Sequence, residues 1–198
     1  APVRARRRDR TELMAAVMSE RLKAAGLREL DFGRDVVGLS KAAEGGGLTE
    51  RHLLAGVATV LIERHGRGGG LLRGLDAAFG IRPPARIAER LADPENPHYL
   101  FDLLGLLKST LLGRVFLQPD ERECLPAGQV LAFARDLGAI PAYAYLGDVG
   151  ESPTGDKKAE KFEDDILEPL FAELKRMGFR AVAYMPPRNT LAQLQRVQ

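Results

Sequence analysis

The run AIPAYAYL, residues 139–146, is continuously apolar over the length of one strand. It follows a helical pattern over residues 126–137 that ends at Gly138. A second short apolar run, AVAYM at residues 181–185, comes after another long helical pattern that ends at Gly178. Short apolar strands that alternate with helices are typical of parallel strands covered on both faces. These residues predict an α-β-α-β-α order and an α/β fold.

Two further features belong to this half of the chain. Thr190 and Gln193 have the spacing of a capping box and predict a final helix, while Pro169 predicts a kink or restart in the helix before the second strand. Two strands close neither a barrel nor a doubly wound sheet. We therefore expect one arc of a larger α/β domain, completed by other sequence or by partner chains.

The first half of the chain carries helical patterns instead. Thr11 is the expected N-cap of a first helix that closes at Gly26, and Thr49 precedes a second helix that stops at Gly66. A short helix over residues 85–91 follows two prolines, and Asn96-Pro97 suits the start of another. We divide the chain into a helical, insertion-type domain, residues 1–118, and a partial α/β barrel segment, residues 119–198.

Composition excludes several classes of protein. The 198 residues are 45% hydrophobic and 28% charged, which is ordinary globular usage, and 29 Lys+Arg against 27 Asp+Glu leave only +2. This balance does not indicate a nucleic-acid partner. The single cysteine, Cys124, forms no internal disulfide and fits a reducing, cytoplasmic location. The most apolar stretch, residues 99–117, contains three charges, so no membrane partner is expected.

Other residues receive structural interpretations. His65 lies at a helix end, where a cation complements the dipole, and His98, at a helix start, is interpreted as a surface residue or one that packs at an interface. The glycine runs at 45–47 and 68–70 lack the G-x-x-x-x-G-K-S/T motif of a phosphate-binding loop. They are interpreted as flexible linkers. Residues 1–10 contain an arginine-rich arm without the apolar segment of a secretory signal, and we interpret the arm as a solvated helix lead-in.

The acidic residues of the helix before the second strand are likewise interpreted as a solvated face. They are Glu163, Asp164, Asp165 and Glu168.

Three stretches, in this order, resemble landmarks of the PHP superfamily, the polymerase and histidinol phosphatase metallo-phosphoesterases. They are LTERHLLA at residues 48–55, residues 126–146, and GFRAVAYMPPRNT at residues 178–190. In the branch with an inserted helical domain, a T/R-x-H-h-A helix start lies in the insertion. A helix and a strand ending in A-H-P follow, and then G-h-x-x-h-E-h-x-x-P-x-N/H-T. The resemblance covers most of the chain.

The resemblance implies a distorted seven-stranded βα barrel of the TIM-like PHP type, with a divalent metal (Mn, Zn or Mg) at its C-terminal rim and hydrolysis of phosphate esters by metal-activated water. The family's opening H-x-H and closing D-x-H would lie outside residues 1–198. Tyr145 stands at the histidine of A-H-P, and Ala183 stands at the glutamate of h-E-h. We therefore expect the metals in a full-length parent and no metal ligand or cofactor in this chain.

The candidate site lies at the strand ends, because catalytic and ligand-binding residues of parallel α/β folds lie at the carboxyl ends of the strands. The rim candidates are Tyr145, Asp148 and Asn189. Asp148 either positions a cation or water or caps a turn, and Asn189 either serves the rim or begins a helix. Arg188 is the candidate phosphate contact. By family position, His52 is a substrate contact or a packing residue.

Two functions from different classes remain open. In the first, the chain is a portion of a PHP-like phosphoesterase that acts on a phosphorylated small molecule or nucleotide, needs the remaining barrel sequence, and is inactive alone. In the second, it is a non-catalytic binding or assembly module on a degenerate PHP fold. Tyr145 and Ala183 favour this hypothesis, because they stand at positions where the family has a histidine and a glutamate. Open strand edges and apolar faces also predict a homodimer or strand exchange.

Overall fold

The structure, a computed structural model, describes residues 2–145, 162–184 and 189–197. It divides into two compact units, Ala1–Cys124 and Leu125–Gln198. Across the described residues it contains nine helices and one two-stranded parallel sheet. The predicted class is confirmed in this form: the chain is mainly helical and carries a small parallel α/β element in its second half.

Five α-helices build the first unit around one apolar core. The long helix α1 contributes Met14, Met18 and Leu22, which are fully buried at spacings of four residues. The core also contains Leu53, Val57 and further apolar residues of the other helices. The helices are α1 (Pro2–Ala24), α2 (Glu50–His65), α3 (Gly69–Phe79), α4 (Ala85–Ala92) and α5 (Tyr99–Thr110).

The start of α1 differs from the prediction. Thr11 is not an N-cap, because it lies in the middle of α1 and its hydroxyl donates to the Arg7 carbonyl at 2.7 Å. The helix begins at Pro2, and proline is well suited to a first helical position. Arginine is also a strong helix former, so the basic arm continues the helix. The predicted start and stop of α2, at Thr49 and Gly66, are confirmed.

The second glycine run is a helix start, which corrects its interpretation as a flexible linker. Gly69 and Gly70 form the first turn of α3, and that helix continues to Phe79. A Cβ on Gly70 would lie 2.3 Å from the His65 carbonyl oxygen, and one on Gly74 would lie 2.4 Å from Cδ2 of the His65 ring. The glycines therefore permit close contact between α3 and the end of α2.

Helix α5 begins two residues later than Asn96-Pro97 predicts, since its N-cap is His98. The Asn96 side chain accepts from the His98 backbone N–H at 2.9 Å and donates to the buried Asp102 carboxylate at 2.9 Å. Arg90 also pairs with Asp102, at 2.9 Å. Asn96 thus stabilises the turn before α5 rather than the first turn itself.

The second unit has the predicted order of elements. Its described elements are α6 (Ala127–Asp136), β1 (Ala142–Tyr145), α7 (Phe162–Asp165), α8 (Leu167–Met177), β2 (Ala181–Tyr184) and α9 (Leu191–Val197). The strands pair in parallel, with Tyr143 opposite Val182 and Tyr145 opposite Tyr184. The β1–α8–β2 part is therefore the predicted parallel unit.

Local signals in this unit are also confirmed. The helix restarts after Ile166, which places Pro169 in the first turn of α8, where no backbone N–H is required. Gln193 accepts from the Thr190 backbone N–H at 2.8 Å, and its own backbone N–H donates to the Thr190 hydroxyl at 3.2 Å. That is the reciprocal pattern of a capping box. In the ranges that the structure describes, no helix is long and apolar enough to cross a bilayer.

Candidate functional site

His52 lies in the first turn of α2 and caps it. The Thr49 backbone N–H donates to His52 Nδ1 at 3.0 Å, completing a capping box at this helix start. Because Nδ1 accepts a hydrogen bond, the neutral ring carries its proton on Nε2. His52 therefore stabilises the start of α2 through Nδ1, and Nε2 is the ring nitrogen that remains for another contact. Its proposed role as a substrate contact stays a prediction.

The two other histidines also lie at helix termini. His65 is the last residue of α2, and its Nε2 is buried without a hydrogen-bond partner. Its ring lies against Gly74, as the short distance from a Cβ built there indicates. His98 is the N-cap residue of α5. His65 therefore lies at a helix end as predicted, and His98 is an exposed residue at a helix start.

Tyr145 is the rim candidate that the structure describes most fully. It ends β1, is fully buried, and its ring meets Phe171 of α8 edge-on at 6.2 Å between centroids. Asn189 is also buried, directly before the Thr190 cap of α9. Asp148 and Arg188 lie outside the described residues. Both rim candidates that the structure describes are therefore buried.

The sheet register tests whether the two positions aligned with family metal ligands converge. Ala144 pairs with Ala183, and Tyr145 pairs with Tyr184. Successive side chains of a strand point to opposite faces, so Tyr145 and Ala183 lie on opposite faces of the sheet. Side chains at these two positions do not meet at one ion. The residues present do not fit the divalent metal that the resemblance implies, and we derive no step through it.

The same conclusion holds more widely for metal ligands. Within residues 2–145, 162–184 and 189–197, no group of three His, Cys, Asp or Glu side chains is placed to hold an ion.

One acidic residue departs from its predicted solvated role. Glu163 accepts a hydrogen bond from the Tyr143 hydroxyl, and its Oε2 is buried without a partner. Burial and this bond to a carboxylate raise the pKa of Tyr143 to about 12. Asp165 and Glu168 are exposed, as expected for a solvated face. The Asp164 side chain lies outside the described part.

Arg7 and Arg10 of the arginine arm are engaged with the rest of the helical unit, which corrects the solvated interpretation for these two, whereas Arg4, Arg6 and Arg8 are exposed as predicted. Arg10 donates from Nε to Glu123 at 2.7 Å and pairs with Glu50 at 2.9 Å, and its guanidinium lies over the Phe116 ring. Arg7 donates to Glu123 at 3.1 Å. The hydrogen bond from Arg10 lowers the pKa of the buried Glu123 carboxyl. We call Arg7, Arg10, Glu50 and Glu123 the arginine clasp.

The arginine clasp borders a surface cleft of about 280 Å³ that also includes the exposed thiol residue Cys124. Its two arginines face two carboxylates, so the charges balance. The clasp holds residues 119–124 on α1, which explains why the unit boundary lies after Cys124 instead of after residue 118. Sequence reasoning missed the clasp because Glu123 lies more than 100 positions from both of its arginines.

The second unit exposes an unusual sheet surface. Ala142 and Ala144 of β1 pair with Ala181 and Ala183 of β2, and all four are exposed. We call this two-by-two array the alanine face. The opposite side of the sheet carries Tyr143, Tyr145, Val182 and Tyr184, and this side is the one that meets α8.

Helix α6 exposes a second apolar surface in the same unit. Val130, Phe133 and Leu137 recur at spacings of three and four, and they are 50%, 64% and 66% exposed. Ile140, just after the helix, is also exposed. We call these four residues the α6 stripe. Leu131, on another side of α6, is buried.

Comparisons with known proteins give no relative from which to assign these surfaces. No protein-family model matches the chain, and neither a curated protein nor a solved structure matches it.

Proposed function

We propose that the chain is a non-catalytic assembly module whose second unit pairs with a second copy of itself. The observation that carries this proposal is the exposure of the alanine face beside an equally exposed α6 stripe. Each is apolar, and neither covers the other within one chain. The PHP-like fold remains a resemblance in this proposal, and the assembly argument does not depend on it.

The alanine face requires a cover for a general reason. Parallel sheets occur almost entirely with both faces buried, because their crossover connections place helices on them. Here α8 meets the tyrosine side of the sheet, while Ala144 and Ala183 remain exposed on the other. A surface of methyl groups is shallow and allows close approach of another element.

The α6 stripe supplies the complementary shape. Phe133 and Leu137 are large side chains at one helix face, and large side chains pack best against small ones. In a two-fold dimer the same contact forms twice, so that α6 of each copy covers the alanine face of the other. Apolar patches of this limited size give weak dimers, and we expect a dissociation constant in the micromolar range.

Light scattering coupled to size exclusion, from about 10 to 500 μM chain, tests this assembly. The wild-type chain should approach twice its 21.6 kDa mass at the upper concentrations. Phe133→Glu and Ala144→Lys should each remain monomeric, since each places an unpaired charge in the contact. Ala172→Lys, at an exposed position of α8, is the matched control and should behave like wild type.

Mixing the two charged variants distinguishes reciprocal packing from general apolar association. A heterodimer of Phe133→Glu with Ala144→Lys retains one native contact and faces Glu against Lys in the other. The mixture should therefore regain dimer although neither variant forms it alone. A wild-type chain that stays a monodisperse monomer throughout the range would refute the proposal.

A second candidate function is phosphate-ester hydrolysis. This hypothesis is favoured by the parallel β1–α8–β2 unit and by the motifs quoted above. We propose it as a property of a longer PHP-like polypeptide that adds the H-x-H and D-x-H ligands, with this chain alone inactive. An assay of the chain and of such a polypeptide with Mn²⁺, Zn²⁺ or Mg²⁺, on nucleotide and phosphosugar substrates, tests it. Chelator-sensitive turnover by the longer polypeptide would support it, and absence of turnover in a folded, metal-supplied sample would reject it.

A further inference from the structure

A second cleft lies inside the α/β unit, between the tyrosine side of the sheet and α8. Its volume is about 320 Å³, which is within the range of small-molecule sites. Four aromatic side chains line it: Tyr143 and Tyr184 from the strands, Phe171 from α8, and Phe179 from the turn before β2. The cleft lies mainly on the tyrosine side of the sheet, and of the four residues of the alanine face only Ala181 also lines it.

The aromatic walls are held in place by their own packing. The rings of Tyr143 and Phe179 meet edge-to-face, 5.9 Å apart at 88°. Phe171 is supported by Tyr145, which is itself fully buried. Leu174 and Val182 supply the aliphatic part of the lining. Because ring pairs of this kind restrict rotation, the cleft is preformed for a flat apolar group.

Two cations complete the lining, Lys175 at the end of α8 and Arg180 just before β2. Among the described residues, neither has an ion-pair partner. Arg176, which lies between them in sequence, is paired with Glu173 at 2.7 Å and does not line the cleft. Glu163, which accepts the Tyr143 hydroxyl, is also absent from the lining. The charged groups of the lining are therefore both positive.

The local backbone also caps this end of α8. The Gly178 N–H donates to the Leu174 and Lys175 carbonyls at 3.1 Å, and the Phe179 N–H donates to Leu174 at 3.0 Å. Gly178 reaches this geometry at φ +102°, a conformation that glycine adopts without strain. The cap satisfies the Leu174 and Lys175 carbonyls, so the positive charge at this end of α8 comes from the side chains of Lys175 and Arg180.

We propose that this cleft binds a small organic anion with a flat aromatic body and a carboxylate head. The aromatic body lies among the four rings, and the carboxylate meets Lys175 and Arg180. A guanidinium fork matches a carboxylate in a planar, two-bond geometry, while the ammonium adds a compact charge. The site overlaps the surfaces proposed for the dimer at Ala181 alone, because its lining includes no residue of the α6 stripe and neither Ala142, Ala144 nor Ala183.

Calorimetric titration of the full chain with 2-naphthoate tests this site, with 2-naphthalenemethanol as the neutral ligand of similar shape. We expect saturable 1:1 binding of naphthoate at or below millimolar concentration, and at least tenfold weaker binding of the alcohol. Arg180→Gln and Lys175→Gln should each weaken naphthoate about tenfold. Arg176→Gln is the matched control, since that arginine is outside the cleft, and it should leave the affinity unchanged.

Three results would overturn the proposal: no naphthoate binding at millimolar concentration, equal binding of acid and alcohol, or equal effects of Arg180→Gln and Arg176→Gln. Amide chemical-shift mapping supplies a second measurement, because the proposal requires naphthoate-induced shifts at Phe179 through Val182. Titration of the Phe133→Glu variant keeps the two proposals distinguishable, since naphthoate should bind this variant as it binds wild type.

Discussion

The contact between Gly74 and His65 yields a prediction whose sign depends on a second residue. A Cβ on Gly74 would lie 2.4 Å from Cδ2, and 2.6 Å from both Cγ and Nε2, of the His65 ring. These distances are about 1 Å shorter than an ordinary carbon–carbon contact. The three atoms belong to one rigid ring, so the ring and α3 must separate. Gly74→Ala is therefore expected to strain the contact between α2 and α3.

The magnitude follows from two opposing effects. Overpacking of a buried contact costs about 1–3 kcal/mol, and three simultaneous ring contacts favour the upper end of that range. Alanine in place of a helical glycine returns about 0.5–1 kcal/mol. Gly74→Ala should therefore lower the free energy of unfolding by about 2 kcal/mol. In a His65→Ala background the ring is absent, and the same substitution should raise stability by about 0.5–1 kcal/mol.

Urea unfolding followed by helical circular dichroism, applied to the four members of this double-mutant cycle, measures the coupling. Gly105→Ala in α5 is the matched control, because no atom lies within 4 Å of a Cβ at that exposed position. It should stabilise the chain by about 0.5–1 kcal/mol in either background. Equal destabilisation by Gly74→Ala with and without His65, or stabilisation equal to that of Gly105→Ala, would refute the steric reasoning.

Two further predictions concern buried carboxylates of the helical unit. Glu123→Gln should lower the free energy of unfolding by about 2–3 kcal/mol in urea titrations, because it leaves two arginines of the clasp with one carboxylate. The exposed Glu121→Gln should change it by less than about 0.5 kcal/mol, and equal effects of the two variants would contradict the assignment. The hydrogen bond from Arg34 holds the pKa of the buried Asp35 below its unfolded value of 3.8, so its contribution is present above that pH and is lost as the pH falls. Asp35→Asn should consequently lower stability at pH 7 and flatten the loss of stability between about pH 5 and pH 2, whereas an unchanged acid profile would show that Asp35 is not responsible.

Local sequence signals predicted the elements of this chain well where the interacting residues are close in sequence. The Thr190–Gln193 capping box, the Thr49 start of α2 and the restart before Pro169 each depend on contacts within one helical turn. The parallel pairing of β1 and β2 followed from the alternation of apolar runs with a helix. These features are set by backbone chemistry that the local sequence already contains.

The failures have a common physical cause, because they depend on tertiary contacts. Composition made residues 68–70 resemble a linker, although the packing of Gly70 and Gly74 on His65 draws them into α3. The arginine clasp could not be predicted from local sequence, because Glu123 contacts Arg10 of α1 from more than 100 positions away. For the candidate site, the sequence identified the strand ends but not the register, which places Tyr145 and Ala183 on opposite faces. Register is a property of the pair of strands and is absent from either one alone.

The arginine clasp also brings the two ends of the helical unit together. Glu123 near its end contacts Arg7 near its start, so the first and last parts of the unit are neighbours in space. A unit with adjacent entry and exit points is readily inserted into a surface loop of a host domain without separating the loop's ends. The same adjacency suits circular permutation, in which a short linker joins the ends and new termini open elsewhere. The helical unit therefore has the geometry of an insertable domain.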